Sequence, residues 1–100
     1  SYGADLRTAA LGLFYDESYT GDGLKIAEVI KRGPFDVRDT KVKAGDIIEA
    51  IDGERILSGK DYNHLLDGKA GKPVRVTVKS GGKERDVVVD RLTEVVRLTV

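Results

Sequence analysis

The chain has no cysteine. That excludes a disulfide framework, a thiol nucleophile and a cysteine-held zinc ion, and it does not choose between the cytoplasm and an exported location. A charge bias is also missing, since 17 basic residues face 17 acidic ones and no run of like sign stands out. Nothing therefore draws the chain towards nucleic acid or an anionic membrane. No apolar stretch approaches the length of a membrane span or a signal-peptide core, so any signal or anchor is expected outside this sequence. The single histidine, His64, leaves little from which to build an acid–base pair. With 100 residues the chain can form one domain and one core, burying about two-thirds of the surface its unfolded form exposes.

What is present is organised around Lys43 to Ile56, KAGDIIEAIDGERI. The apolar run Ile47, Ile48, Ala50 and Ile51, broken only by Glu49, predicts a central strand between the turns Gly45-Asp46 and Asp52-Gly53. Asp52-Gly53 matches a two-residue hairpin loop, because glycine accepts positive φ and aspartate tolerates it, so Glu54 to Ile56 should return antiparallel.

Upstream, Ser1 to Asp5 has little to bury, and Leu6 to Ala10 reads as a short weak strand. Ala10 to Tyr15 is an apolar run with Gly12 in its middle. Gly12 is either a bulge or a residue whose conformation turns backbone amides towards a common point. Leu13 to Asp16 then reads as a strand, followed by the polar loop Asp16 to Gly23 and a half-buried strand, Leu24 to Ile30, with Lys25 and Glu28 outward. The short loop predicts antiparallel pairing of these strands. Asp16, Glu17 and Asp22 lack the spacing of a calcium loop, so no metal site is expected. After Gly33-Pro34, Phe35 and Val37 are expected to pack onto the core from a turn or short helix.

Downstream, Ser58 and Asp61 have the form of a capping box, and Tyr62, Leu65 and Leu66 make a narrow apolar stripe that ends near Gly68. A short helix over 58–66 follows, held by tertiary packing. Val74, Val76 and Val78 alternate with Arg75, Thr77 and Lys79 in a strand, and Ser80 to Lys83 turns the chain into a partner strand, Glu84 to Val89. Val96, Leu98 and Val100 alternate once more.

Taken in order, Leu11-Gly12-Leu13 opening a strand, Ile26 to Ile30, Lys43 to Ile48, Ile51-Asp52-Gly53 and the stretch from a short helix into Leu65 to Val74 resemble a PDZ domain. The resemblance covers residues 10 to 90, leaving 1–9 as a lead-in and 91–100 as an extension or edge strand. The long segment from Gly33 to Lys43 is most similar to PDZ domains of tricorn-like and carboxy-terminal-processing serine peptidases. The resemblance implies a mainly β (α+β) fold with one or two short helices: a partly open β barrel capped by a helix. It also implies the bacterial permuted arrangement, with Glu84 to Val89 as the late strand replacing the usual first one, and a bacterial source.

It further implies a groove between Leu13 to Asp16 and the helix, where an extended peptide adds as a strand and its last side chain enters an apolar pocket. Amides of Leu11, Gly12 and Leu13 would meet the terminal carboxylate. Phe14, Tyr15, Tyr62 and Leu66 would line the groove, and Leu11 and Leu13 would join Tyr62 and Leu66 in the pocket. Where such domains carry histidine at the helix start, this chain has Gly59-Lys60, which favours apolar ligands with weak selectivity. His64, beside the Leu65-Leu66 pair, reads as a solvated helix residue, and Tyr62 as either core or groove.

The reading that follows is a peptide-binding module of a larger serine peptidase, taking protein C-termini or extended peptides and gating the protease in some arrangements. By itself it lacks a catalytic constellation, because the only histidine, His64, lies about a turn and a half from Ser58 on the same expected helix and Ser58 is better used as a cap. No cofactor, nucleic acid or membrane partner is expected; the remainder of a protease chain is. The alternative is a docking domain whose groove is vestigial or filled by a neighbour's Arg97-Leu98-Thr99-Val100, giving a monomer or weak tail-mediated self-association. The peptidase resemblance favours an exported location, without fixing it.

Overall fold

The computed structural model describes residues 11–58, 65 and 72–90. They form strands β1 (Leu13–Tyr15), β2 (Leu24–Val29), β3 (Ile47–Ile51), β4 (Glu54–Arg55), β5 (Pro73–Ser80) and β6 (Lys83–Asp90), and one short helix, α1 (Pro34–Val37). Every strand pairing is antiparallel. The sheet runs β1-β2-β3-β5-β6, with β4 beside β3, so β1 and β6 are its two ends among the described residues. This is a mostly β fold built on an open antiparallel sheet.

The anchor hairpin forms as its turn chemistry dictates. Ile51 pairs with Glu54, and the two loop residues Asp52 and Gly53 take φ of 51° and 84°, the doubly positive pattern that suits the twist of a tight hairpin. The turn is also docked sideways: the Asp52 amide donates to the Arg75 carbonyl at 2.7 Å and the Arg75 amide donates to Asp52 Oδ1 at 2.9 Å. β4 ends one residue before expected, yet the Ile56 amide still donates to the Glu49 carbonyl at 3.0 Å. A second two-residue loop joins β5 to β6, where Ser80 pairs with Lys83.

Alternation places the core. Val74, Val76 and Val78 of β5 and Val89 of β6 are fully buried, and they pack in one cluster with Leu11, Leu13, Ile26, Phe35, Ile48, Ile51, Ile56 and Leu65. Thr77 breaks the alternation because its hydroxyl donates to Asp86 Oδ1 at 2.8 Å, which satisfies it against the neighbouring strand. Phe35 is buried as expected, whereas Val37 is 69% exposed. On a helix of four residues, positions two apart point to different sides, so α1 presents only one of the two to the core.

The strand expected at Leu6 to Ala10, the lead-in before it, the turn after Leu66 and the alternating tail all lie outside the described residues. So does most of the helix expected at 58–66.

Candidate functional site

β1 is three residues long and carries the loop chemistry at its start. Gly12 sits at φ +71°, immediately before β1. Its carbonyl accepts from the Ile30 amide at 2.9 Å, which fastens the turn to the far end of β2. A Cβ at this position would lie 2.8 Å from Pro34 Cδ and 3.1 Å from Gly33 Cα. Glycine is therefore required twice over, by backbone conformation and by the close approach of the Gly33-Pro34 turn.

β1 pairs with β2 through Leu13–Val29, Phe14–Glu28 and Tyr15–Ile26, with a shift between Phe14 and Tyr15. Leu13 and Tyr15 face the core, and Phe14 is half-buried on the other side. Leu11 and Leu13 are fully buried, so the side chains expected in a pocket belong to the main core cluster. Leu65 joins them at 5% exposure and is the one described residue of 59–66. Tyr62, Leu66 and His64 lie outside the described residues.

The loop between β1 and β2 is held by its own acids. Asp16 Oδ1 accepts from the Ser18 hydroxyl at 2.6 Å and from the Ser18 amide at 3.0 Å. These bonds, the hydroxyl's first, hold the Asp16 carboxyl below its ordinary range. Asp22 Oδ1 accepts from the Ser58 amide at 2.7 Å, and the Ser58 hydroxyl donates to the Thr20 carbonyl at 2.7 Å. Asp16 and Asp22 thus face protein donors. Ser58 has a partner that its capping-box spacing did not reveal, 38 residues away in sequence; its bond to the start of a helix would lie outside the described residues.

A separate depression of about 180 Å³ lies behind the Gly12 turn, lined by Arg32, Gly33, Pro34, Val37, Arg38 and Asp90. Gly33 and Pro34 are shared between it and the wall against which Gly12 packs. No sequence signal pointed to it, because Arg32 and Asp90 meet only through the fold.

The open sheet, with a glycine turn leading into its terminal strand, can be compared with known proteins. A family model described as the tricorn protease PDZ domain matches residues 3–94. The chain belongs to this PDZ family. A pro-apoptotic serine protease of Candida glabrata is 42% identical over 66 residues, covering 65% of this chain and 6% of the relative. Its counterpart in Vanderwaltozyma polyspora is 36% identical over 85 residues, covering 84% of this chain and 8% of the relative. The chain thus spans less than a tenth of the length of either relative. Both are fungal, so the bacterial source implied by the resemblance does not follow from them.

Among solved structures, the tricorn protease superposes on this PDZ domain with a TM-score of 0.59 at 27% identity, over 85% of this chain and 9% of that one. An aminopeptidase N family protein from Idiomarina loihiensis gives 0.66 at 18% identity, over 83% of this chain and 14% of that one, a likeness of fold alone. PDZ domains of this kind are protein-interaction modules within serine protease-type proteins.

Proposed function

We propose that this PDZ domain, with its body at residues 10–90, binds the carboxyl end or an extended tail of a protein partner as an added strand along β1, within a larger serine peptidase chain. The observation that carries this is the position of β1 at one end of the sheet among the described residues, directly after Gly12 at φ +71°. A terminal strand offers one row of backbone groups to a peptide, and a positive-φ glycine turns neighbouring amides towards a carboxylate. In this reading amides of Leu11, Gly12 and Leu13 meet the carboxylate, and Phe14, Tyr15, Tyr62 and Leu66 line the groove. Proteolysis belongs to the remainder of the chain, which the domain gates. Affinity for a short peptide is expected in the micromolar range or weaker, about −8 kcal/mol or less in magnitude.

A second reading, a docking domain with a closed groove, is favoured by the complete burial of Leu11 and Leu13. An amide-shift NMR titration separates the two, using short peptides with an apolar last residue and either a free or an amidated carboxyl end. Saturable shifts centred on 11–16 and 62–66 with the free acid only are expected. Equal shifts with both peptides would mean strand addition without recognition of the end, and no shifts with either would leave the docking reading.

A further inference from the structure

We propose that Phe14 and Glu28 form a subsite for a basic residue at the next-to-last position of the bound peptide; this deepens the peptide-binding reading above and rests on it. A peptide on the outer side of β1 with its carboxyl end at the Gly12 turn runs antiparallel to β1, and residues directly opposite each other share a face of the sheet. Successive side chains of the peptide point to opposite faces. With its last side chain on the core side, where Leu13 and Tyr15 lie, the next-to-last one falls on the other face, beside Phe14. That face is equipped by β2. Phe14 pairs with Glu28, which is exposed. Strict alternation would turn Glu28 to the same side as Ile26, which is buried in the core at 1% exposure. The register shift between Phe14 and Tyr15 passes from Glu28 to Ile26 across β2 and breaks that alternation. Ile26 therefore faces inward with Tyr15, and Glu28 faces outward with Phe14. Bulges recur where one side chain has to be re-aimed.

Spacing and charge then select the occupant. Neighbouring strands lie about 4.8 Å apart, so Glu28 sits roughly 10 Å from the added strand, with Phe14 on the strand between. A short side chain ends over Phe14. Arginine or lysine can lay its apolar stem across Phe14 and carry its charge on towards Glu28. A carboxylate has about four lone-pair sites, so Glu28 accepts this cation without giving up a bond it already makes. An acidic residue at the same position would meet like charge. Two residues farther back on this face, the peptide passes Asp16 and Lys25, joined through the Asp16 amide and the Lys25 carbonyl at 2.8 Å. Their charges are opposite, and Asp16 already accepts two bonds from Ser18. Charge selection is thus confined to the next-to-last position.

The test uses the 100-residue chain and free-acid peptides with one apolar last residue, differing only in arginine, glutamine or glutamate next to it. Affinities are read from amide shifts at 13–16 and 26–29. The arginine peptide is expected to bind about three- to tenfold more tightly than the glutamine one, and the glutamate peptide more weakly than both. Added salt should shrink the preference. Glu28→Gln should bring the arginine-to-glutamine ratio towards one, and Glu28→Lys should place glutamate above arginine. Phe14→Leu should narrow the ratio in part, since it removes the ring and keeps an apolar surface. Arginine moved to the fourth-last position should give no gain. A wild type that binds all three peptides equally would overturn this subsite and leave the peptide-binding reading standing. A ratio that survives Glu28→Gln, or an order that Glu28→Lys does not invert, would also overturn it. A wild type that binds none of the peptides defeats the peptide-binding reading, and the subsite with it.

Discussion

At the scale of single residues, Gly12 and Glu49 make opposite demands. Gly12→Ala puts an L residue at φ +71° and a Cβ 2.8 Å from Pro34 Cδ, so a loss of about 1–3 kcal/mol is expected. For a domain of this size each kcal/mol lowers the melting temperature by about 4–8 °C, and calorimetry would read it; an unchanged midpoint would mean that the turn tolerates a side chain. Glu49 has a side chain only 16% exposed, 3.3 Å from Arg55. Its carboxyl is held above the usual range, first by its hydrogen bond with Glu84 and then by burial and Glu84's charge. Glu84 moves the opposite way, lowered by the same bond and by Arg55. The two carboxyls thus move apart, Glu49 holding its proton to higher pH than Glu84. A raised folded value means that Glu49's contribution is complete below its unfolded value and is lost as pH rises through the folded one. Glu49→Gln keeps a hydrogen-bond donor towards Glu84 at every pH. As pH rises above the ordinary carboxylate range its denaturation midpoint is expected to fall less than that of the wild type; parallel slopes would remove Glu49 as the cause.

Among the elements, the turn that leads into β3 depends on one carboxylate. The buried Asp46 side chain accepts from the Lys43 amide at 3.0 Å and from Lys43 Nζ at 3.4 Å. Its main chain joins β2, since the Ile26 amide donates to the Asp46 carbonyl at 2.8 Å. Asp46→Ala leaves the Lys43 amide without this acceptor and should cost about 1–3 kcal/mol. Chemical denaturation would measure it, and a change within error would show that the backbone alone holds the turn. Such local chemistry was legible in advance: Asp-Gly specified the β3–β4 hairpin, and valine alternation specified β5. What was not legible depends on contacts between distant segments. Ser58 had the spacing of a cap, but its hydroxyl is directed to Thr20, and no local pattern encodes that. Val37 was expected in the core beside Phe35, and the shortness of α1 turned it out. For the candidate site, the Gly12 turn was readable because one residue type satisfies its φ, while the full burial of Leu11 and Leu13 depends on distant segments gathering into one core cluster with them.

For the molecule as a whole, an open sheet leaves two strands with an outer side among the described residues, and they differ in what they offer. β6 is eight residues long and begins Lys83-Glu84-Arg85-Asp86, alternating in charge along its edge. Glu84 and Asp86 are further engaged by Arg55 and Arg75, at 3.2 and 3.3 Å. An edge of this kind discourages pairing with a second copy. β1 is only three residues long and shifts register at Tyr15, which suits a short peptide better than a second sheet. The isolated chain is therefore expected to sediment as a monomer, and removal of residues 97–100 is expected to change nothing. If the intact chain instead associates with rising concentration and the truncated chain does not, the tail of one copy occupies the groove of another, and the docking alternative gains its occupant. If both associate equally and salt strengthens the association, the charged edge of β6 is the barrier being screened, and the contact lies there rather than at β1.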